Sequence, residues 1–261
     1  MRKKFIAGNW KMNNGPKETS EFLHKFGEEL KAAPEVTKAI ADKKMEVAFF
    51  VPAVSLLTAV ETAKDLPIVI GAQNTHWEKS GAFTGETSVP MINEIGAASV
   101  LIGHSERRHI FRETDDEINK KVHAAHEGGL LSVLCVGETL DERESGHAFD
   151  VIRTQFEAGI KGFDGKTVAE NIIIAYEPVW AIGTGKTASD EDAEEICRFI
   201  RELASGNFCD KVADELIILY GGSVKPENTH GIISQPDIDG VLVGGASLKP
   251  DVFMQIVKNS L

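Results

Sequence analysis

A short, largely β-branched apolar run recurs eight times along this chain of 261 residues, each time followed by a polar or glycine-rich turn and a helical pattern. The runs are Phe5–Ala7, Val47–Val51, Ile68–Ala72, Ser99–Ile102, Leu130–Val136, Ile172–Tyr176, Leu216–Tyr220 and Val241–Val243. From Ala7 to Val243 is 236 residues over seven intervals, about 34 each, a length that suits a strand–helix–strand crossover. Unbroken rather than alternating apolar runs are what strands buried on both faces require. The intervening helices carry their own signals. Thr114-Asp115-Asp116-Glu117 opens one with acids at its positive dipole end, and Gly128-Gly129 closes it. Ser189 is the expected N-cap of another, ahead of Asp190-Glu191-Asp192. The alternation predicts an α/β fold with a parallel sheet. Periodicity alone leaves an open doubly wound sheet and a closed barrel equally possible.

No low-complexity tract or Pro/Ser-rich linker interrupts the pattern, so residues 1–261 are expected to form a single domain. The 42% hydrophobic content suffices for a large core without disulfides or metals. A net charge of -12 argues against nucleic-acid or anionic-membrane partners, which need a basic face, but is silent on a small anionic substrate. Cys135, Cys197 and Cys209 make neither a CxxC pair nor an even set, which fits reduced thiols. The start, Met1-Arg2-Lys3-Lys4-Phe5, runs straight into the first apolar run, with no signal peptide or membrane span visible. A cytoplasmic location is the expectation.

Polar clusters follow the runs on their C-terminal side: Asn9-Trp10-Lys11, Gln73-Asn74, Gly103-His104-Ser105-Glu106-Arg107, Gly137-Glu138, Glu177-Pro178, Gly221-Gly222-Ser223 and Gly244-Gly245. In a barrel these ends converge on the face that carries the active site. Gln73 and Gly137 read as ordinary turn residues. The set as a whole does not, because a Lys, a His and a Glu accompany two glycine-rich turns after the last two strands. Such turns let backbone N–H groups approach a phosphate, with a helix dipole behind them. Glu177 ends a buried run, where a carboxylate is costly unless it is paired or functional; a general base and a structural salt bridge both fit.

Pro178–Thr187 needs separate treatment. Its Gly-Thr-Gly-Lys-Thr resembles a nucleotide-binding P-loop, but the glycine required five residues before Gly185 is Trp180, and Glu177-Pro178 separates the segment from its strand. The apolar patch between Pro178 and small residues reads instead as a hinged lid. His123 and His126 lie one helical turn apart with no third ligand set by sequence, so they read as a helix face rather than a zinc site.

Asn9-Trp10-Lys11, Gly103–Arg108, Ala175–Lys186, Tyr220–Ser223 and Val243–Ser247 resemble the signature blocks of the triosephosphate isomerases, and Gly81–Glu86 and Cys135–Thr139 match secondary patterns of that family. The similarity runs from the first strand to the C-terminal helix. It implies a closed (β/α)8 TIM barrel that interconverts dihydroxyacetone phosphate and D-glyceraldehyde 3-phosphate through an enediolate, in glycolysis and gluconeogenesis. By motif match, Glu177 takes and returns the proton, and His104 polarises the carbonyl. Lys11 binds the anionic substrate and enediolate, Asn9 assists positioning, and Gly183, Ser223, Gly244 and Gly245 grip the phosphate. A Glu base beside a neutral His at a helix N-terminus is the family's own pairing. Proton abstraction beside a carbonyl calls for a base, an electrophile and oxyanion stabilisation, so neither cofactor nor metal is expected. The resemblance also implies a homodimer, with the Gln73–Glu86 loop as the interlocking element. Thr75-His76-Trp77 in that loop departs from the family pattern, and Ser205–Asp210 looks slightly extended. A sugar-phosphate isomerase of amino-acid biosynthesis would share the glycine turns but has no reason to carry the lid block. A silent paralogue kept for protein interactions would have lost Lys11, His104 or Glu177.

Overall fold

The computed structural model describes residues 2–181 and 188–261. Its strands are β1 (Lys4–Asn9), β2 (Met45–Val51), β3 (Val69–Ala72), β4 (Ser99–Ile102), β5 (Leu131–Val136), β6 (Ile172–Tyr176), β7 (Ile217–Tyr220) and β8 (Gly240–Val243). Each expected run falls on its strand to within two residues. All pairings are parallel and follow chain order, and β8 returns to β1 with Phe5 opposite Gly240 and Gly8 opposite Val243. The sheet is therefore a closed barrel, and the doubly wound alternative is excluded.

Closure explains why the runs are unbroken. Successive side chains point to opposite faces, and here both faces are dry. Phe5, Ala7, Phe50, Leu101, Val133, Ile173, Leu219 and Leu242 fill the barrel. Ile6, Phe49, Val51, Ile102, Leu134 and Ile174 point outward into a larger core beneath the helices. The barrel interior is filled to contact: a Cβ added to Gly71 would lie 2.5 Å from the Phe50 ring, so glycine there is what lets a phenyl group occupy the centre.

The helices follow their signals. Thr114 caps the helix Asp115–Glu127, its side chain accepting from the Glu117 N–H while the Glu117 carboxylate accepts from the Thr114 N–H at 2.8 Å. Ser189 and Asp192 make the same reciprocal pair at the start of Asp190–Asn207. The helix Ala148–Gly159 buries Ala148, Ile152, Gln155, Phe156 and Gly159 as one stripe. Truncating Phe156 to Ala should cost about 3–5 kcal/mol. Ser205–Asp210 is the junction at which Asp190–Asn207 ends and Cys209 begins the helix Asp210–Glu215.

At the N-terminal ends of β1, β7 and β8 lies a buried ionic cluster. Arg201 donates through Nε to Asp237 at 2.6 Å, through Nη2 to Asp239 at 2.8 Å, and through Nη1 to the carbonyls of Ala213 and Leu216. Asp239 also accepts from Arg2 Nε and from the Ile218 N–H.

Candidate active site

The opposite end of the barrel gathers the polar clusters. Asn9 ends β1; Lys11 follows with φ +52°, a left-handed backbone that a non-glycine residue adopts only when held there. Two side chains hold it. Asn9 Oδ1 accepts from the Lys11 N–H at 3.0 Å, and Gln73 Nε2 donates to the Lys11 carbonyl at 2.9 Å and to that of Phe50 at 2.9 Å. Gln73, which reads from sequence as a turn residue, thus braces the lysine. Lys11 Nζ reaches Glu106 Oε1 at 2.6 Å.

His104 stands immediately before the helix Ser105–His109 as its N-cap. Its Nδ1 accepts from the Glu106 N–H at 3.2 Å. Nε2, carrying the ring proton, faces Glu177 Oε1 at 2.8 Å. Glu177 follows β6, is 1% exposed, and accepts at Oε2 from the Ser105 N–H at 2.9 Å. Burial pushes its carboxyl up, but His104, the Ser105 N–H and Lys11 together bring it below the ordinary 4.5. Burial likewise opposes a second proton on His104, and the facing carboxylate outweighs it, so the ring's proton affinity is raised in this arrangement. The Glu106 N–H works the other way, because an imidazolium would aim a proton at that donor. The upward pull comes mainly from the facing Glu177 carboxylate, with Glu106 adding to it.

Beside this pair, the turns after β7 and β8 complete the cleft. The first precedes the helix Pro226–Ile233; the second runs into the short helix Gly245–Leu248. Among the described residues, none accepts a hydrogen bond from the N–H of Ser223, Gly244 or Gly245. Asn9, Lys11, His104, Glu177, Ser223, Gly244 and Gly245 line one cleft of about 340 Å³. Gly183, with the rest of the expected lid from 182 to 187, lies outside the described residues. Arrayed N–H donors at helix starts make an anion site, and a buried carboxylate opposite an imidazole makes an acid–base site.

In the sequence, Ser105, Glu106 and Gln73 stand only as members of polar turn clusters, without a role of their own. Ser105 acts through its backbone, which residue type does not reveal. Elsewhere on the mouth, Glu138 accepts from Tyr176 Oη at 3.0 Å and Trp180 Nε1 at 2.9 Å. His123 donates from Nε2 to the Lys161 carbonyl at 2.9 Å and stacks on Phe163, and His126 meets the edge of the same ring.

A family model described as triosephosphate isomerase matches residues 4–260. The chain is 50% identical over 261 residues to a triosephosphate isomerase of Carboxydothermus hydrogenoformans, covering 100% of both chains. It is 46% identical over 256 residues to one of Streptococcus thermophilus, covering 98% of each, and 44% identical over the same length to one of Streptococcus equi subsp. zooepidemicus.

Proposed function

The chain belongs to the triosephosphate isomerase family and is an isomerase of triose phosphates in glycolysis and gluconeogenesis; from that premise we propose how its residues divide the work. The supporting observation is the single cleft that unites Glu177, His104 and Lys11 with the turns at Ser223 and Gly244-Gly245. The phosphate sits on the N–H groups of Ser223, Gly244 and Gly245, joined by Gly183. Lys11 supplies the positive charge, with Asn9 fixing its backbone. Glu177 and His104 now face each other, so the carboxylate turns from the Ser105 N–H toward carbon 1 as substrate enters between them. It removes that proton while His104 Nε2–H donates to the carbonyl oxygen, giving the enediolate; the hydroxyl proton on the carbon 1 oxygen passes by way of His104 to the carbon 2 oxygen, and Glu177 returns its proton to carbon 2, leaving the aldehyde at carbon 1 and both side chains as they began. No electrons leave the substrate. A positioned base contributes roughly 10²–10⁴-fold and an oxyanion donor about 10²–10³-fold.

We also assign a homodimer. Met12 and Phe111, 96% and 67% exposed, flank a second groove lined by Lys11, Gln73, Glu86 and Glu106, and large apolar groups left in water beside a catalytic lysine suit a partner's loop. The Gln73–Glu86 loop, with His76 stacked on Trp77 and tilted against Phe83, is the complementary element. A cytoplasmic location accords with the glycolytic role and three free cysteines. Among the described residues no helix is long and apolar enough to cross a membrane. A single domain over residues 1–261 accords with the one barrel.

The test is a coupled assay with dihydroxyacetone phosphate, on the parent and on Glu177→Gln. Rapid isomerisation by the parent and near-complete loss in the variant are expected; an equally active variant removes Glu177 from the mechanism.

A further inference from the structure

The core-facing stripe of the helix Ala148–Gly159 contains one polar residue, Gln155, which is 9% exposed. A buried carboxamide is costly unless its groups are paired, and both of its bonds go to a single residue. Gln155 Oε1 accepts from the Gly137 N–H at 2.8 Å, and Nε2 donates to the Gly137 carbonyl at 3.1 Å. The side chain imitates a neighbouring strand for one residue beyond the end of β5.

What lies on the other side of Gly137 gives this clamp its meaning. A Cβ built there would fall 1.8 Å from the carbonyl oxygen of Glu177. The Glu177 N–H meanwhile donates to the Val136 carbonyl at 2.8 Å. The backbone of Glu177 is therefore seated between Val136 and Gly137, and any movement of Gly137 is transmitted to it by contact. We propose that Gln155 is a positioning residue for proton transfer, acting through Gly137 on the backbone of Glu177. This rests on the reading of Glu177 as the base.

Gln155→Met keeps the length and the apolar contacts but leaves the Gly137 N–H and C=O buried and unpaired. Displacement of a reacting group by about 1 Å costs on the order of a hundredfold; part of that displacement should lower kcat about tenfold, per folded enzyme, with KM changed less than twofold because the phosphate turns are untouched. Parental kcat per folded enzyme, or a change confined to KM, overturns the proposal whatever happens to the melting temperature. Gln155→Glu is the second variant. Protonated, its carboxyl both donates and accepts like the amide; ionised, it can only accept and repels the Gly137 carbonyl. Its kcat relative to the parent should fall as pH rises, and a flat ratio overturns the proposal even if Gln155→Met does not fold. Glu177→Asp, alone and combined with Gln155→Met, separates the two readings. Glu177→Asp alone should lose about a hundredfold or more. The double variant should lose about as much as Glu177→Asp alone, since both act on one carboxylate, whereas a fully multiplicative loss shows that Gln155 acts elsewhere. Glu177→Asp within twofold of the parent would overturn the base reading itself.

Discussion

The two ends of the barrel each bury charge, and they do it differently. At the N-terminal end, Arg201 places Nε, Nη1 and Nη2 on carboxylates and carbonyls, and Asp239 accepts from Arg2, Arg201 and the Ile218 N–H. Among the described residues, none of these groups lines the two clefts at the mouth. At the mouth, Glu177 leans on the Ser105 N–H and on His104, and both side chains line open space. Buried atoms with no partner among the described residues occur at both ends, Tyr220 Oη and Glu138 Oε2 near the mouth and Ser132 Oγ near the start of β5. Each such orphan costs about 1–3 kcal/mol. A cluster closed on itself serves the scaffold, whereas groups that line a cleft, as His104 and Glu177 do, can meet a substrate.

The contrast is broken most directly by exchanging consequences. His104→Gln should lower kcat about 10²–10³-fold, the scale of a lost oxyanion donor, with little change in melting temperature. It should also move the acid limb of kcat/KM. Glu177 is held below 4.5 chiefly by His104 working against burial, so removing His104 lets burial raise the carboxyl, and the limb shifts to higher pH. A limb that stays put would detach the two groups. Arg201→Met is the mirror case. Leaving Asp237 and Asp239 buried without their cation should cost about 3–5 kcal/mol in denaturant titration, with kcat per folded enzyme unchanged. If activity falls with stability intact, the lower cluster is not merely scaffold.

A smaller effect sharpens the boundary between brace and chemistry. Gln73→Leu frees the carbonyls of Lys11 and Phe50 and should cut kcat/KM roughly fivefold, mainly through KM, because the neutral hydrogen bond that holds Lys11 is worth about 1 kcal/mol. A loss confined to kcat would place Gln73 with the proton-transfer groups. Smallest of all, dialysis against a strong chelator should leave kcat unaltered, the His123 and His126 rings being engaged with Lys161 and Phe163. Loss of activity restored by zinc would reopen the metal reading.

The strands were legible because parallel strands dry on both faces leave an unmistakable composition, and Ile172–Tyr176 was bounded to the residue. Closure was not legible from pattern, since nothing local in Phe5 announces a partner at Gly240; the family resemblance supplied it. Among site residues, the ionisable side chains stood out at strand ends. The ones that escaped act through backbone groups, as Ser105 does, or through contacts made across sequence distance, as Gln73 does with Lys11 and Gly137 with Glu177. A glycine whose missing Cβ is its function cannot be told from a turn glycine without knowing what presses against it.

The pairing of β1 with β8 has a consequence for how the chain is made. Ile6 pairs early with Val47, but its partner on the other edge is Val241, so during synthesis that edge of the first strand must wait for almost the whole polypeptide. At about 5–20 residues per second that is on the order of tens of seconds. Through that interval the nascent sheet carries two open edges, each a template for wrong pairing with other chains. Ribosome-bound chains ending before β8 should therefore recruit holdase chaperones, and release should follow emergence of Gly240–Val243. The symmetry that leaves the finished barrel without an edge leaves every shorter fragment with two.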